Sequence, residues 1–307
     1  MRIRAGYELT YECAQPTPML LALRIHPSRR PDLLTEELLR FTPHVPSHDY
    51  TDSFGNVCTR ILAPAGRLTV STGFEIFDDG HHDAVAPDAR QNEIGEIPDD
   101  VLVYLLGSRY CDTDRLADFA WATFGATPPG WPRVQAICDF VHQHIRFDYQ
   151  MADSTRTASN GLQDRTGVCR DFAHLAITLC RCMNIPARYC TGYLGDIGVP
   201  PVDYPMDFSA WFEAWLDGRW FTFDARHNMP RIGRILMATG RDATDVALST
   251  SFGASALVGF KVVTDEIPDA LPRALHTEPG SRHPHQAEMP AASRIAAFAE
   301  ALPGASG

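Results

Sequence analysis

The chain has 307 residues, 45% hydrophobic and 21% charged, a globular mix whose length leads us to expect two domains. Its 38 Asp and Glu against 27 Lys and Arg give a net charge of −11 with no basic cluster, which argues against nucleic-acid binding. No apolar run reaches the ~20 residues of a membrane span and the N-terminus lacks an apolar secretion core, so the expectation is a cytosolic protein with no membrane partner.

The first ninety residues read as β. Ile3, Ala5, Tyr7, Leu9, Tyr11 and Cys13 alternate with more polar neighbours, the period of a half-buried strand. Met19, Leu21, Leu23 and Ile25 repeat it, and Val57–Leu62 and Leu68–Phe77 follow, with a helix expected near Asp32–Phe41. Together these predict a β-sandwich over residues 1–90. Asp78–Arg90 reads as a linker, and its adjacent His81 and His82 as solvated loop residues.

Residues 91–265 read as an α+β core. Asp114–Phe124 and Pro132–Ile145 carry apolar residues at helical spacing, and Asn160–Asp164 reads as a loop feeding a third helix. Strands are expected over Arg188–Leu194, Phe208–Leu216, Arg219–Asp224 and Val258–Val263. Beyond Glu266 six prolines and sparse apolar content predict a mostly mobile tail over 266–307, with a short amphipathic helix near Ser293–Leu302. The eight cysteines are irregularly spaced and expected to be reduced. Cys180 and Cys182 lie two apart on a predicted helix and so diverge, and no metal or other cofactor is expected.

Two segments carry chemistry. In Thr166-Gly167-Val168-Cys169-Arg170-Asp171-Phe172-Ala173-His174-Leu175, Thr166 reads as an N-cap and Phe172, Leu175, Ala176 and Leu179 as one apolar stripe. Pro186 ends that helix near Asn184. Cys169 then falls in the first turn, where unpaired N–H groups and the helix dipole favour a thiolate. On position alone, a nucleophile and a buried structural cysteine remain equal readings. The second segment runs from Asp207 to Asp224, where Asp217-Gly218 between aromatic strands signals a two-residue hairpin. That register sets Leu216 opposite Arg219, Trp211 opposite Asp224 and Ser209 opposite Arg226, so Ser209 and Asp224 share a face.

The Gly-Val-Cys helix start, the Ala210-Trp211-Phe212-Glu213 strand and the Trp220-Phe221-Thr222-Phe223-Asp224 strand, in this order, resemble the bacterial transglutaminase-like superfamily. The resemblance spans roughly Leu102–Val263 and implies a papain/transglutaminase-like core of helices on an antiparallel sheet, preceded by a β-sandwich. It implies a nucleophilic Cys, a His about forty residues on, and an Asp after the hairpin. Cys169 and Asp224 match. The family His falls at Ser209, whose hydroxyl is no base at neutral pH. His174 is turned about 140° from Cys169 along the helix. His227, three residues beyond Asp224, is the candidate substitute base. The function implied is a cysteine enzyme that attacks amide bonds of a peptide or protein through an acyl-thioester, as a peptidase, amidase or acyl transferase to amines. The alternative is an inactive relative that binds a peptide or protein.

Overall fold

The computed structural model describes residues 1–202 and 205–268. The alternation at the N-terminus becomes strand β1 (Arg2–Cys13), with Ile3, Ala5, Tyr7, Leu9, Tyr11 and Cys13 all buried. Strands β2 (Thr17–Leu21), β3 (Arg40–Thr42), β4 (Ser47–Thr51), β5 (Val57–Ala63) and β6 (Gly66–Phe77) follow. The helix expected over Asp32–Phe41 does not form. Pro27 opens and Pro31 interrupts a single 3-10 stretch, Pro27–Asp32. The Glu37 carboxylate then accepts the Ile25 N–H at 2.9 Å, and Phe41 pairs with Val70, so the segment is drawn out along the sheet.

The second half opens with helices α1 (Thr113–Phe124) and α2 (Trp131–His144), close to the expected bounds. Strand β7 (Arg146–Phe147) precedes helix α3 (Ala158–Asp164), which forms where a loop over Asn160–Asp164 is expected. Thr157 caps α3 by accepting the Asn160 N–H, and left-handed Arg165 ends it. Strand β8 (Thr166–Gly167) leads into helix α4 (Cys169–Cys182). Strands β9 (Ala187–Tyr193), β10 (Phe208–Leu216), β11 (Arg219–Phe223) and β12 (Ile235–Gly240) form an antiparallel sheet in the order β11-β10-β9-β12. Helix α4 is buried along its whole length, packing Leu175 and Leu179 against Phe212, Ala214 and Leu216. Two of its polar side chains are tied internally: Arg181 donates to the Ala187 carbonyl at 2.8 Å, and Cys182 to the Thr113 carbonyl at 3.5 Å.

His174, on the same helix, stacks on Tyr110 at 5.0 Å and accepts the Ala243 N–H through Nε2 at 3.1 Å. Burial lowers its pKa from the ordinary 6.5 to about 3, against the pull of the Asp242 carboxylate. The unfolded chain binds that proton near pH 6.5 and the folded chain only near pH 3. Stability present above pH 6.5 is therefore lost as pH falls below that value. Urea midpoints at pH 7, 5 and 4 should fall steadily in the native protein, with a shallower slope in His174→Gln. A pH-independent native midpoint would refute this.

The chain then returns to its beginning. Strand β13 (Ser249–Ser251) pairs with β2, and β14 (Ser255–Ile267) pairs with β1 from Cys13 to Arg2. The two sheets of the N-terminal region are thus β14-β1-β6-β3 and β13-β2-β5-β4, packed through Leu9, Leu68, Val70, Met19, Leu21 and Ile61. The strand expected near Val258–Val263 is thus part of the N-terminal sheets, and the tail does not begin at Glu266. Glu266 and Ile267 instead close β14 opposite Ile3 and Arg2. The proline-rich stretch and the helix expected near Ser293–Leu302 lie outside the described residues. The buried Asn56 side chain joins the two regions, donating to the Thr239 carbonyl and accepting the Thr239 N–H, both at 2.8 Å. Among the described residues no helix is long and apolar enough to cross a membrane, and no cluster of His, Cys, Asp and Glu could hold a metal ion.

Candidate active site

Cys169 is the first residue of α4, and the cap is one residue before it: extended Val168, not Thr166, ends the approach. Thr166 and Gly167 are occupied in β8, pairing in parallel with Arg146 and Phe147. The cap is made by Asp171, which accepts the Val168 N–H at 2.8 Å and the Arg156 guanidinium at 3.3 Å. A Cβ on residue 167 would collide with that carboxylate, so glycine there and aspartate four residues on form one device. Arg170 donates to the Asp153 carbonyl and lies 5.3 Å from the Tyr110 ring centre. The helix start is rigid on every side.

The thiol itself is 4% exposed. Burial pushes it up to about 12, opposed by the Arg226 guanidinium, with Asp207 raising it further and the Ala210 N–H favouring the thiolate. At neutral pH Cys169 therefore rests as a thiol.

The β10–β11 hairpin has the expected Leu216–Arg219 pairing, but its ladder ends at Phe212–Phe223. The expected pairs Trp211–Asp224 and Ser209–Arg226 do not form. Asp224 is the reason. Its Oδ1 accepts the N–H groups of Arg226 and His227 at 3.0 and 3.1 Å, and its carbonyl accepts the Asn228 N–H at 2.7 Å, which turns the strand into a tight loop. Helix α2 holds that loop: Asp139 accepts from Asn228 at 2.8 Å, and the His142 ring bonds the Arg226 carbonyl at 2.9 Å.

The loop brings His227 back onto Asp224, its Nδ1 lying 2.8 Å from Oδ2. Arg234 reaches the same oxygen from ten residues on, at 3.0 Å. Burial pushes the Asp224 carboxyl up, but Arg234 and His227 outweigh it and hold it well below the ordinary carboxylate range. An ionised Asp224 can only accept, so His227 Nδ1 is the donor, and in the neutral ring the lone pair lies on Nε2.

Ser209 is buried and, among the described residues, its hydroxyl bonds neither Asp224 nor Cys169. Helix α4 packs on Ala210, Phe212 and Ala214, whereas Trp211 and Glu213 face a separate cavity on the other side of the sheet. What Ser209 shares with His227 is a cavity of about 230 Å³, bordered also by Tyr149, Asp207 and Arg226. Asp207, Arg226 and Asp171 are the charged groups that act on the Cys169 thiol, and the first two also line this cavity. His174 takes no part. Arg234 and Asp171 went unseen in the sequence reading: Arg234 arrives through an irregular segment with no periodic signal, whereas the Val168–Asp171 cap has the spacing of a capping box.

The sequence model of the transglutaminase-like superfamily matches residues 119–225, from α1 to the residue after Asp224. This chain has a transglutaminase-like core. The structure described as a putative cysteine protease from Cytophaga hutchinsonii superposes with a TM-score of 0.76 at 27% identity, covering 90% of this chain and 94% of that one. The sandwich and the transglutaminase-like core are therefore shared as one unit. An uncharacterized protein of Mycobacterium leprae is 36% identical over 122 residues, 38% of this chain and 43% of that one. One of Mycobacterium tuberculosis is 31% identical over 147 residues, 44% and 46% respectively. The chain thus spans less than half the length of these curated relatives.

Proposed function

We propose that the transglutaminase-like core is a thiol enzyme that cleaves amide bonds of a peptide or protein through an acyl-thioester on Cys169. The observation that carries this is the 2.8 Å contact of His227 Nδ1 with the buried Asp224 carboxylate, which leaves Nε2 as the base on a cavity lined by Arg226 and Asp207, the groups that act on the thiol. As Cys169 Sγ bonds to the amide carbon, its proton passes to Nε2. The same proton then goes to the departing amine as the C–N bond breaks, and water or a second amine takes the acyl group. Asp224 orients the ring, and Ser209 serves as cavity wall at the position of the family His. The neutral resting thiol and the hydroxyl at 209 favour a second reading, an impaired relative that binds a peptide in the same cavity.

Acylation by p-nitrophenyl acetate, followed as a nitrophenolate burst and by intact mass, separates the two. The native protein should gain one acetyl group, and Cys169→Ala none. Ser209→His should accelerate the burst by offering a second ring. No burst in the native protein between pH 6 and 9, with one restored in Ser209→His, would assign the site to the peptide-binding reading.

A further inference from the structure

The cavity shared by Ser209 and His227 has a charged wall that the chemistry above does not use. Arg231 lies on it, together with Ser209 and His227, and is 4% exposed. Its hydrogen bonds are modest for a buried guanidinium: Nη2 donates to the Gly195 carbonyl at 2.9 Å, and Nε has no partner. Among the described residues no carboxylate comes within ion-pair distance of it. The contrast is Arg234, three residues on, which sits between Asp83 at 2.9 Å and Asp224 at 3.0 Å. A buried charge left without a counter-charge costs several kcal/mol, so such a group calls for an anion.

The nearby acids hydrogen-bond to other groups, and Asp224, which attracts the Arg231 guanidinium, is bonded to Arg234 and His227. Asp196, on the cavity rim, accepts the Val202 N–H at 3.0 Å. Asp207 acts on Cys169 and Tyr149. Arg231 also borders the cavity behind Trp211, where Asp83 pairs with Arg234, Asp32 and Asp78 with Arg29, and Glu213 with Arg188. Asp224 and Asp196 attract the guanidinium from a distance, but among the described residues neither forms an ion pair with it.

We infer that Arg231 is a specificity residue that recognises a free carboxylate on the substrate, a short distance from the bond Cys169 attacks. A carboxylate offers its guanidinium the two-pronged acceptor that the protein withholds. The carboxylate belongs either to a peptide C-terminus or to an acidic side chain, and the two share this chemistry. The inference rests on the proposed function for the meaning of the cavity, but its test does not require turnover.

Binding is measured by calorimetry on Cys169→Ala, with acetyl-Ala-Ala, its C-terminal amide, and acetyl-Ala-Glu amide. At least one carboxylate peptide should bind tenfold or more tighter than acetyl-Ala-Ala amide. The first identifies a C-terminal carboxylate and the third an acidic side chain. Arg231→Gln, which can still donate to the Gly195 carbonyl, should erase the preference, and Arg231→Lys should retain part of it. Equal affinities, no binding of any peptide at 20 mM, or a preference surviving in a folded Arg231→Gln would each overturn the inference. If Arg231→Gln does not fold, the comparison of ligands on the Arg231 protein still decides. A native protein that binds selectively but never acylates would fail the proposed function and leave this inference standing.

Discussion

Replacing His227 by alanine will slow acylation of Cys169 at pH 7 by a factor of about 100 or more, the usual worth of a positioned base. Burial keeps the sulfur protonated, so the attack needs an acceptor for its proton. Among the groups on the cavity wall, Asp207 is a weak base, Arg226 cannot accept, and Ser209 is not basic at this pH. The fold should barely notice the change. Asp224 keeps Arg234 and two backbone N–H groups, and the ring is partly exposed, so the melting temperature should move by no more than a few degrees. Burst kinetics with p-nitrophenyl acetate and a thermal melt on the same sample separate lost chemistry from lost structure. An unchanged burst rate would remove His227 from the mechanism.

The largest expected loss of stability is at Gly192. It lies in β9 opposite Ser209, with β12 on its other side where the register shifts between Leu236 and Ala238. A Cβ there would overlap the Ile235 carbonyl oxygen and lie 3.1 Å from the Met237 nitrogen. Both are backbone atoms of a paired strand, so neither can step aside without opening the β9–β12 ladder. Gly192→Ala should therefore cost ~3–5 kcal/mol and lower the melting temperature by roughly 10 °C. Gly73→Ala is the matched control, a strand glycine whose added Cβ would meet nothing within 4 Å. It should change stability by less than about 1 kcal/mol. Comparable losses for both variants would mean that strand propensity, not the close approach at Ile235, sets the cost.

Local signals in the sequence were legible. The alternation from Ile3 to Cys13 gave β1 within one residue, and Asp217-Gly218 gave the hairpin and its first pair. Cys169 at a helix start followed from the apolar stripe, although the cap was misplaced because Asp171 caps from inside the helix. The unread elements lack a pattern of their own. Strand β4 is exposed at every residue, so no alternation marks it. Strands β12 and β13 are defined by what they pair with. At the site, the end of β11 depended on whether the Asp224 carboxylate would capture its own backbone, a competition that strand periodicity does not record. The Arg234–Asp224 pair joins residues that only the folded loop brings together.

The pairing of β1 with β14 sets an order of events during synthesis. Arg2 meets Ile267, and Cys13 meets Ser255, so β1 waits for nearly the last described strand. At 5–20 residues per second that delay is roughly 12–50 s. During it β1 can pair with β6 but keeps one long edge open, the kind of surface that templates association between nascent chains. Helices α1 to α4 and strands β9 to β12 are complete before β14 emerges. Nascent chains arrested shortly before residue 255 should therefore be the species most dependent on chaperones.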